Sequence, residues 1–168
     1  MNTALFIGRF QPLHLGHLWV LRKILAKYKR VIIVIGSSKE KRTKRNPLSC
    51  KERIEMLRHC LDMYKKEYSG RYKIVPVPDF NKHEIWMSRI LKLKFEVVYT
   101  GNLLNKKLFK NAGYKVVFLK RYRGISSRRI RRLIAEGRDV SKYLPCSTHN
   151  FLSQKGLLKV IRKCEECQ

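Results

Sequence analysis

The chain has 168 residues, 39 of them Lys or Arg and 12 Asp or Glu, for a formal net charge of +27. Its length suits one domain (residues 1–168), and 44% hydrophobic residues exclude plain disorder despite the charge. No apolar run nears the roughly 20 residues that cross a bilayer, so no membrane span is expected; the charge points to anionic partners and leaves phosphorylated small molecules, nucleic acid and an acidic membrane surface open.

Taken in chain order, apolar runs alternate with helix-period segments, the pattern of an α/β protein with a parallel sheet. Residues 3–8 read as a strand, followed by a turn containing Pro12. Leu18, Leu21, Leu25 and Tyr28 then fall on one helix face. Residues 31–35 are a continuous β-branched run ending at Gly36, as in a buried parallel strand. Residues 37–48 form a polar loop with five basic residues from Lys39 to Arg45. Ser49 and Glu52 make a capping box that opens a helix with an Ile54, Leu57, Leu61 and Tyr64 stripe. Further strands are expected over 73–77, 96–100 and 114–119, and helices over 82–93, 103–111 and 126–136. Leu144 and Pro145 open a C-terminal helical region, about 140–164 in all, which Gly156 divides. The expected architecture is one doubly wound, Rossmann-like sheet.

The five cysteines are odd in number and mostly isolated, which suits a reducing cytoplasm. Cys164 and Cys167 form a single C-x-x-C beside the C-terminus, without the second ligand pair that a zinc site needs.

Chemistry concentrates in Gly8-Arg9-Phe10-Gln11-Pro12-Leu13-His14-Leu15-Gly16-His17, between the first strand and the first helix. Ligands of such sheets bind outside the carboxyl ends of the strands. A helix N-terminus offers free N–H groups and a positive dipole end, both suited to phosphate. His14 and His17, three residues apart, are placed to donate hydrogen bonds to phosphate oxygens. Gly16 admits a close approach to the backbone.

The His14-x-Gly16-His17 motif, with Ile125-Ser126-Ser127-Arg128-Arg129-Ile130-Arg131 near the C-terminus, resembles the nucleotidylyltransferase superfamily. The full Gly-Arg-Phe-Gln-Pro-x-His-x-Gly-His string resembles the archaeal-type nicotinamide mononucleotide adenylyltransferases. Gly36-Ser37-Ser38, Asn46-Pro47, Glu52-Arg53, Pro78-Asp79, Ile85-Trp86 and Thr100-Gly101-Asn102 match that family in order and spacing.

The resemblance implies transfer of the adenylyl group of ATP to nicotinamide mononucleotide, giving NAD and pyrophosphate, with Mg²⁺ held mainly by phosphates. It implies catalytic roles for His14, His17 and Arg131. It implies ATP contacts from Gly8, Arg9, Phe10, Gly16, Thr100, Gly101, Asn102 and Ser126, and nicotinamide-nucleotide contacts from Arg45, Asp79, His83 and Trp86. It also implies a homo-oligomer, often a hexamer. Structural roles compete for several of these residues: a helix cap for Ser126, a core aromatic for Trp86 and a solvated charge for Arg45. The family pattern is replaced at Lys39, Arg42, His83 and Arg128, which leaves another phosphorylated acceptor open, such as pantetheine phosphate or a flavin precursor. The basic clusters 39–45 and 120–132 leave nucleic-acid binding open as well.

Overall fold

A computed structural model describes residues 2–166. Five parallel strands, β1 (Thr3–Gly8), β2 (Arg30–Ile35), β3 (Tyr72–Pro76), β4 (Val97–Thr100) and β5 (Lys115–Phe118), form one sheet in the order β3-β2-β1-β4-β5. β1 pairs with β2 in the register Leu5↔Ile32 and with β4 in the register Leu5↔Val98. The strand order therefore reverses at β1. A crevice opens there, between the ends of β1 and β4, where Gly8 and Thr100 terminate their strands.

The sheet is buried on both faces because its central strands are apolar between their ends, as in Ala4–Ile7, Val31–Ile35 and Val97–Tyr99. Ala4 and Phe6 of β1, with Val31, Ile33 and Ile35 of β2, face one core. Leu5, Ile7, Ile32 and Val34 face the other. Helices α1 (Leu15–Lys27), α2 (Cys50–Asp62), α6 (Ser127–Ala135), α7 (Cys146–Gln154) and α8 (Leu157–Glu166) cover the first face. α4 (His83–Leu91) and α5 (Leu103–Asn111) cover the second.

Most expected elements form, with ends shifted by a few residues. The capping box at α2 is present: Glu52 N donates to Ser49 Oγ at 3.3 Å, and Ser49 N donates to Glu52 Oε2 at 2.7 Å. Tyr64, expected on the same helix, lies beyond it. Its N–H bonds the Leu61 carbonyl at 2.9 Å, a tightened last turn that closes α2, and the one-turn helix α3 (Lys65–Tyr68) follows. Gly156, with φ of 66°, separates α7 from α8 in the left-handed conformation that glycine adopts without strain. Two 3-10 turns also form: Tyr122–Gly124, with no counterpart among the elements expected from sequence, and Ser141–Tyr143, at the start of the expected helical region 140–164. Cys167 lies outside the described residues. No helix among the described residues is long and apolar enough to cross a membrane.

Candidate active site

His14 is the N-cap of α1, and its relation to His17 is reciprocal. His17 N donates to His14 Nδ1 and His14 N donates to His17 Nδ1, each at 3.3 Å. The rings stack with centroids 3.7 Å apart. Since both Nδ1 atoms accept hydrogen bonds, both rings are neutral and carry their proton on Nε2. Burial pushes His14 down to about 4. Burial, then the neighbouring His14, holds His17 well below the ordinary histidine range. The sequence motif thus yields two neutral N–H donors at a helix start.

Their support is equally local. Phe10, at φ 53°, lies buried beneath His17 with ring centroids 4.8 Å apart, and packs edge-on to Phe6. A Cβ on Gly8 would come within 2.9 Å of the Phe10 ring, and one on Gly16 within 3.0 Å of the His14 ring. Gly16 was expected to admit ligand; the space of its missing side chain is taken by His14. Glycine here lets the histidine close onto the helix.

Two clefts meet at this point. The first, of about 400 Å³, is lined by Arg9, Phe10, His14, Gly16, His17, Gly101, Ser126 and Arg131. The second, of about 640 Å³, is lined by Gly8, Arg9, His17, Arg45, Asp79, His83, Trp86, Thr100, Gly101 and Asn102. Ile7, Arg9, His17 and Gly101 belong to both, at the ends of β1 and β4. Burial, then the like charges of Arg45 and Arg131, lower the Arg9 pKa, with Asp79 opposing. A side chain in that setting favours any anion that enters.

Arg131 is buried in α6. Its Nε donates to Glu165 Oε1 at 2.7 Å and its Nη1 to the Gln11 carbonyl at 3.0 Å. Ser126 caps α6 by accepting from Arg129 N at 3.2 Å, so its hydroxyl has a structural task, while Ser127 Oγ donates to the Pro12 carbonyl. Thr100 is fully buried and accepts from Asn102 N at 3.1 Å. Asn102 in turn caps α5, accepting from Leu104 N and Asn105 N. These two residues lie on the second cleft, apart from the His14 ring and Arg131. Arg45, Asp79 and His83 are exposed, on a loop, after β3 and at the start of α4 respectively. Trp86 is half-buried, with one edge on Phe109 at 6.0 Å, and still lines the cleft. Both of its competing roles are therefore compatible with its place.

The comparisons agree with this geometry. A family model described as cytidylyltransferase-like matches residues 5–133. The nicotinamide-nucleotide adenylyltransferase of Pyrococcus furiosus is 38% identical over 158 residues, covering 92% of this chain and 84% of its own length. That of Archaeoglobus fulgidus is 37% identical over 165 residues, 95% of either chain. The chain belongs to the nicotinamide-nucleotide adenylyltransferase family. The adenylyltransferase fold is also that of a solved structure from Francisella tularensis, a bifunctional NMN adenylyltransferase/ADP ribose pyrophosphatase, with a TM-score of 0.84 and 22% identity. That match covers 98% of this chain and 52% of the other, so this chain spans about half of its neighbour's length. A second Francisella tularensis structure, complexed with AMP and an Mn ion, matches with a TM-score of 0.79.

Three residues named in the sequence only as motif members or departures, with no role assigned, are structural supports of this site. Arg53 is fully buried, and donates to the carbonyls of Arg9 at 3.1 Å, Gly36 at 2.8 Å and Ser37 at 2.9 Å, tying the ends of β1 and β2 together. Gln11 clamps the end of the basic loop, donating to the Leu48 carbonyl at 2.8 Å and accepting from Leu48 N at 2.9 Å. Arg42 fixes the same loop through a two-pronged contact with Glu52. The family-matched pair Glu52-Arg53 was the available signal for two of these; a backbone-carbonyl partner leaves no trace in residue pattern.

Proposed function

We propose that the protein transfers the adenylyl group of ATP to nicotinamide mononucleotide, releasing NAD and pyrophosphate. One observation carries the reading: two clefts meet at Arg9 and His17, one edged by neutral histidine donors and Arg131, the other by Trp86. An oxygen of the mononucleotide phosphate attacks the α-phosphorus of ATP, and the bond from that phosphorus to the oxygen bridging to the β-phosphorus breaks. The attacking oxygen is already ionised near neutral pH, so no protein base is required. What the chain supplies is alignment of two anions and donors for the departing charge. His14 and His17 offer Nε2–H groups, Arg131 offers a fixed cation and Arg9 a second cation, and the N-terminus of α1 adds its dipole.

Among the described residues no group of three His, Cys, Asp or Glu side chains is arranged to hold a metal. Such a lining fits Mg²⁺, which keeps most of its waters and is held through substrate phosphates. When bound, Mg²⁺ would neutralise charge on the phosphate oxygens. The family resemblance extends the proposal to one catalytic unit over residues 1–168 assembled as a homo-oligomer, in the family often a hexamer, in the cytoplasm. Thiols at Cys50, Cys60 and Cys146 that form no disulfide suit that compartment. The charge of +27 adds an attraction to nucleic acid as a secondary property.

The test is purified protein with ATP, Mg²⁺ and one acceptor at a time: nicotinamide mononucleotide, pantetheine phosphate or a flavin precursor. NAD and pyrophosphate formed in equal amounts support the reading. Turnover of another acceptor with no NAD overturns it.

A further inference from the structure

Arg131 reaches the first cleft from α6, but the C-terminal helix decides how it is held. Its Nε donates to Glu165 Oε1 at 2.7 Å, and only 7% of the Arg131 side chain and 10% of the Glu165 side chain is exposed. Its Nη1 donates to the Gln11 carbonyl at 3.0 Å. Gln11 is itself fixed by the paired hydrogen bonds to Leu48. One guanidinium therefore joins α8, the turn after β1 and the end of the basic loop.

A guanidinium has five N–H groups in a rigid plane. Among the described residues two are engaged, one at Nε and one at Nη1, and the rest of the guanidinium borders the cleft that Arg131 lines. A carboxylate competing for the whole guanidinium would take it in the two-pronged, parallel manner such pairs favour. Glu165 makes a single contact, at Nε. Removing two charges from water costs most of what their attraction returns, so this pair adds little as a stabiliser. Its distinctive product is a single orientation. The carboxylate also offsets a cation beside Arg9, whose own pKa Arg131 helps to lower.

We propose that Glu165 is a positioning residue: it fixes Arg131 through Nε so that the remaining guanidinium N–H groups stay directed at the phosphates of ATP. This rests on the function proposed above. It makes the last turn of α8 part of the ATP site, although it lies 34 residues from Arg131 in sequence.

The test compares Glu165→Gln and Glu165→Ala with the unaltered protein. ATP affinity is read by calorimetry, KM for nicotinamide mononucleotide by steady-state kinetics, and folding by thermal unfolding. Glu165→Ala is expected to weaken ATP binding by roughly ten- to hundredfold, the usual effect of losing a group that orients a ligand-binding side chain. Glu165→Gln keeps an acceptor oxygen and a similar shape, so it is expected to recover part of the loss. KM for nicotinamide mononucleotide stays at the unaltered value in both. Unchanged ATP affinity overturns the proposal. So does tighter ATP binding, which would make the carboxylate a competitor of phosphate. So does an equal loss for both substrates together with a lower unfolding midpoint, the mark of a structural role. If Glu165→Ala does not fold, ATP binding by Glu165→Gln alone decides the matter. An unaltered protein that binds ATP but forms no NAD refutes the proposed reaction, while the ATP comparison still judges Glu165; one that binds no ATP refutes both.

Discussion

The two clefts are built on different plans. The first takes its central donors from one stretch, Arg9 to His17, plus Arg131; His14, His17 and Arg131 are each held by a second protein group, while Lys120, Arg121 and Arg128 are exposed at its edge. His14 and His17 hold each other, Phe10 lies under His17, and Arg131 is tied to Glu165 and Gln11. The second gathers Arg45, Asp79, His83 and Trp86 from three segments, and all but Trp86 are exposed. A site that must stabilise charge developing in a transition state needs donors already in place, because reorganisation at the moment of reaction costs rate. A site that only has to select and seat an acceptor can use side chains that settle around it. In the proposed reaction, rigidity therefore separates the held phosphate donors His14, His17 and Arg131 from the side chains that seat the acceptor.

The sharpest way to break that division is His17→Ala. His17 is shared by both clefts and presents a fixed Nε2–H where the phosphates must meet. Turnover is expected to fall by roughly 10²–10³, the cost of removing one preorganised donor, while ATP still binds measurably. Steady-state kinetics with calorimetric ATP titration checks both parts. A variant with unchanged turnover would remove His17 from the chemistry and leave the first cleft as a binding site only.

Acid stability tests the same rigidity without substrate. Burial holds His14 at about 4 in the folded protein, while an unfolded histidine titrates near 6.5. Above both values neither state is protonated and the residue contributes nothing to pH dependence. As pH falls from about 6.5 to about 4, the unfolded chain takes up a proton that the native state refuses, so stability declines. The full decline is about 3 kcal/mol for this one residue. His14→Asn keeps a capping acceptor and removes the titration. Thermal unfolding at pH 7.5 and pH 5 should show the variant losing less on acidification than the unaltered protein. Equal losses would mean that the His14 site opens readily to water.

What was legible in the sequence follows the same line. β1, β2 and the α2 capping box were readable because each is encoded by adjacent residues whose periodicity or spacing has one physical meaning. The motif from Gly8 to His17 was readable for the same reason. Its electrostatics were not: the spacing gives two donors near phosphate without their charge state, and the reciprocal Nδ1 contacts show that both are neutral. Glu165 could not be found, since its meaning depends on α8 returning across α6 to reach Arg131. Arg53 escaped similarly, because its partners are carbonyls of Arg9, Gly36 and Ser37, which every residue type provides. The one-turn helix Lys65–Tyr68 and the 3-10 turns are too short for periodicity to register.

Trp86 sharpens the comparison from the other side, where the expected effect is smallest. The nicotinamide ring is cationic, and a cation over an indole face gains about 0.5–2 kcal/mol, which corresponds to roughly a two- to thirtyfold rise in KM when the indole is removed. Trp86→Ala should therefore raise KM for nicotinamide mononucleotide within that range and leave kcat and the KM for ATP unchanged. The indole also touches Phe109, so a core role would act through stability instead. Trp86→Phe separates the two, because a phenyl ring retains an aromatic contact with Phe109 and offers a cation a weaker face. Unfolding midpoints restored by phenylalanine, with KM still raised, place the indole against the substrate. Restoration of both by phenylalanine, or a lower midpoint with no change in KM, makes Trp86 a core residue. The second cleft would then have to seat its acceptor without an indole face, through its remaining lining, of which Arg45, Asp79 and His83 are exposed.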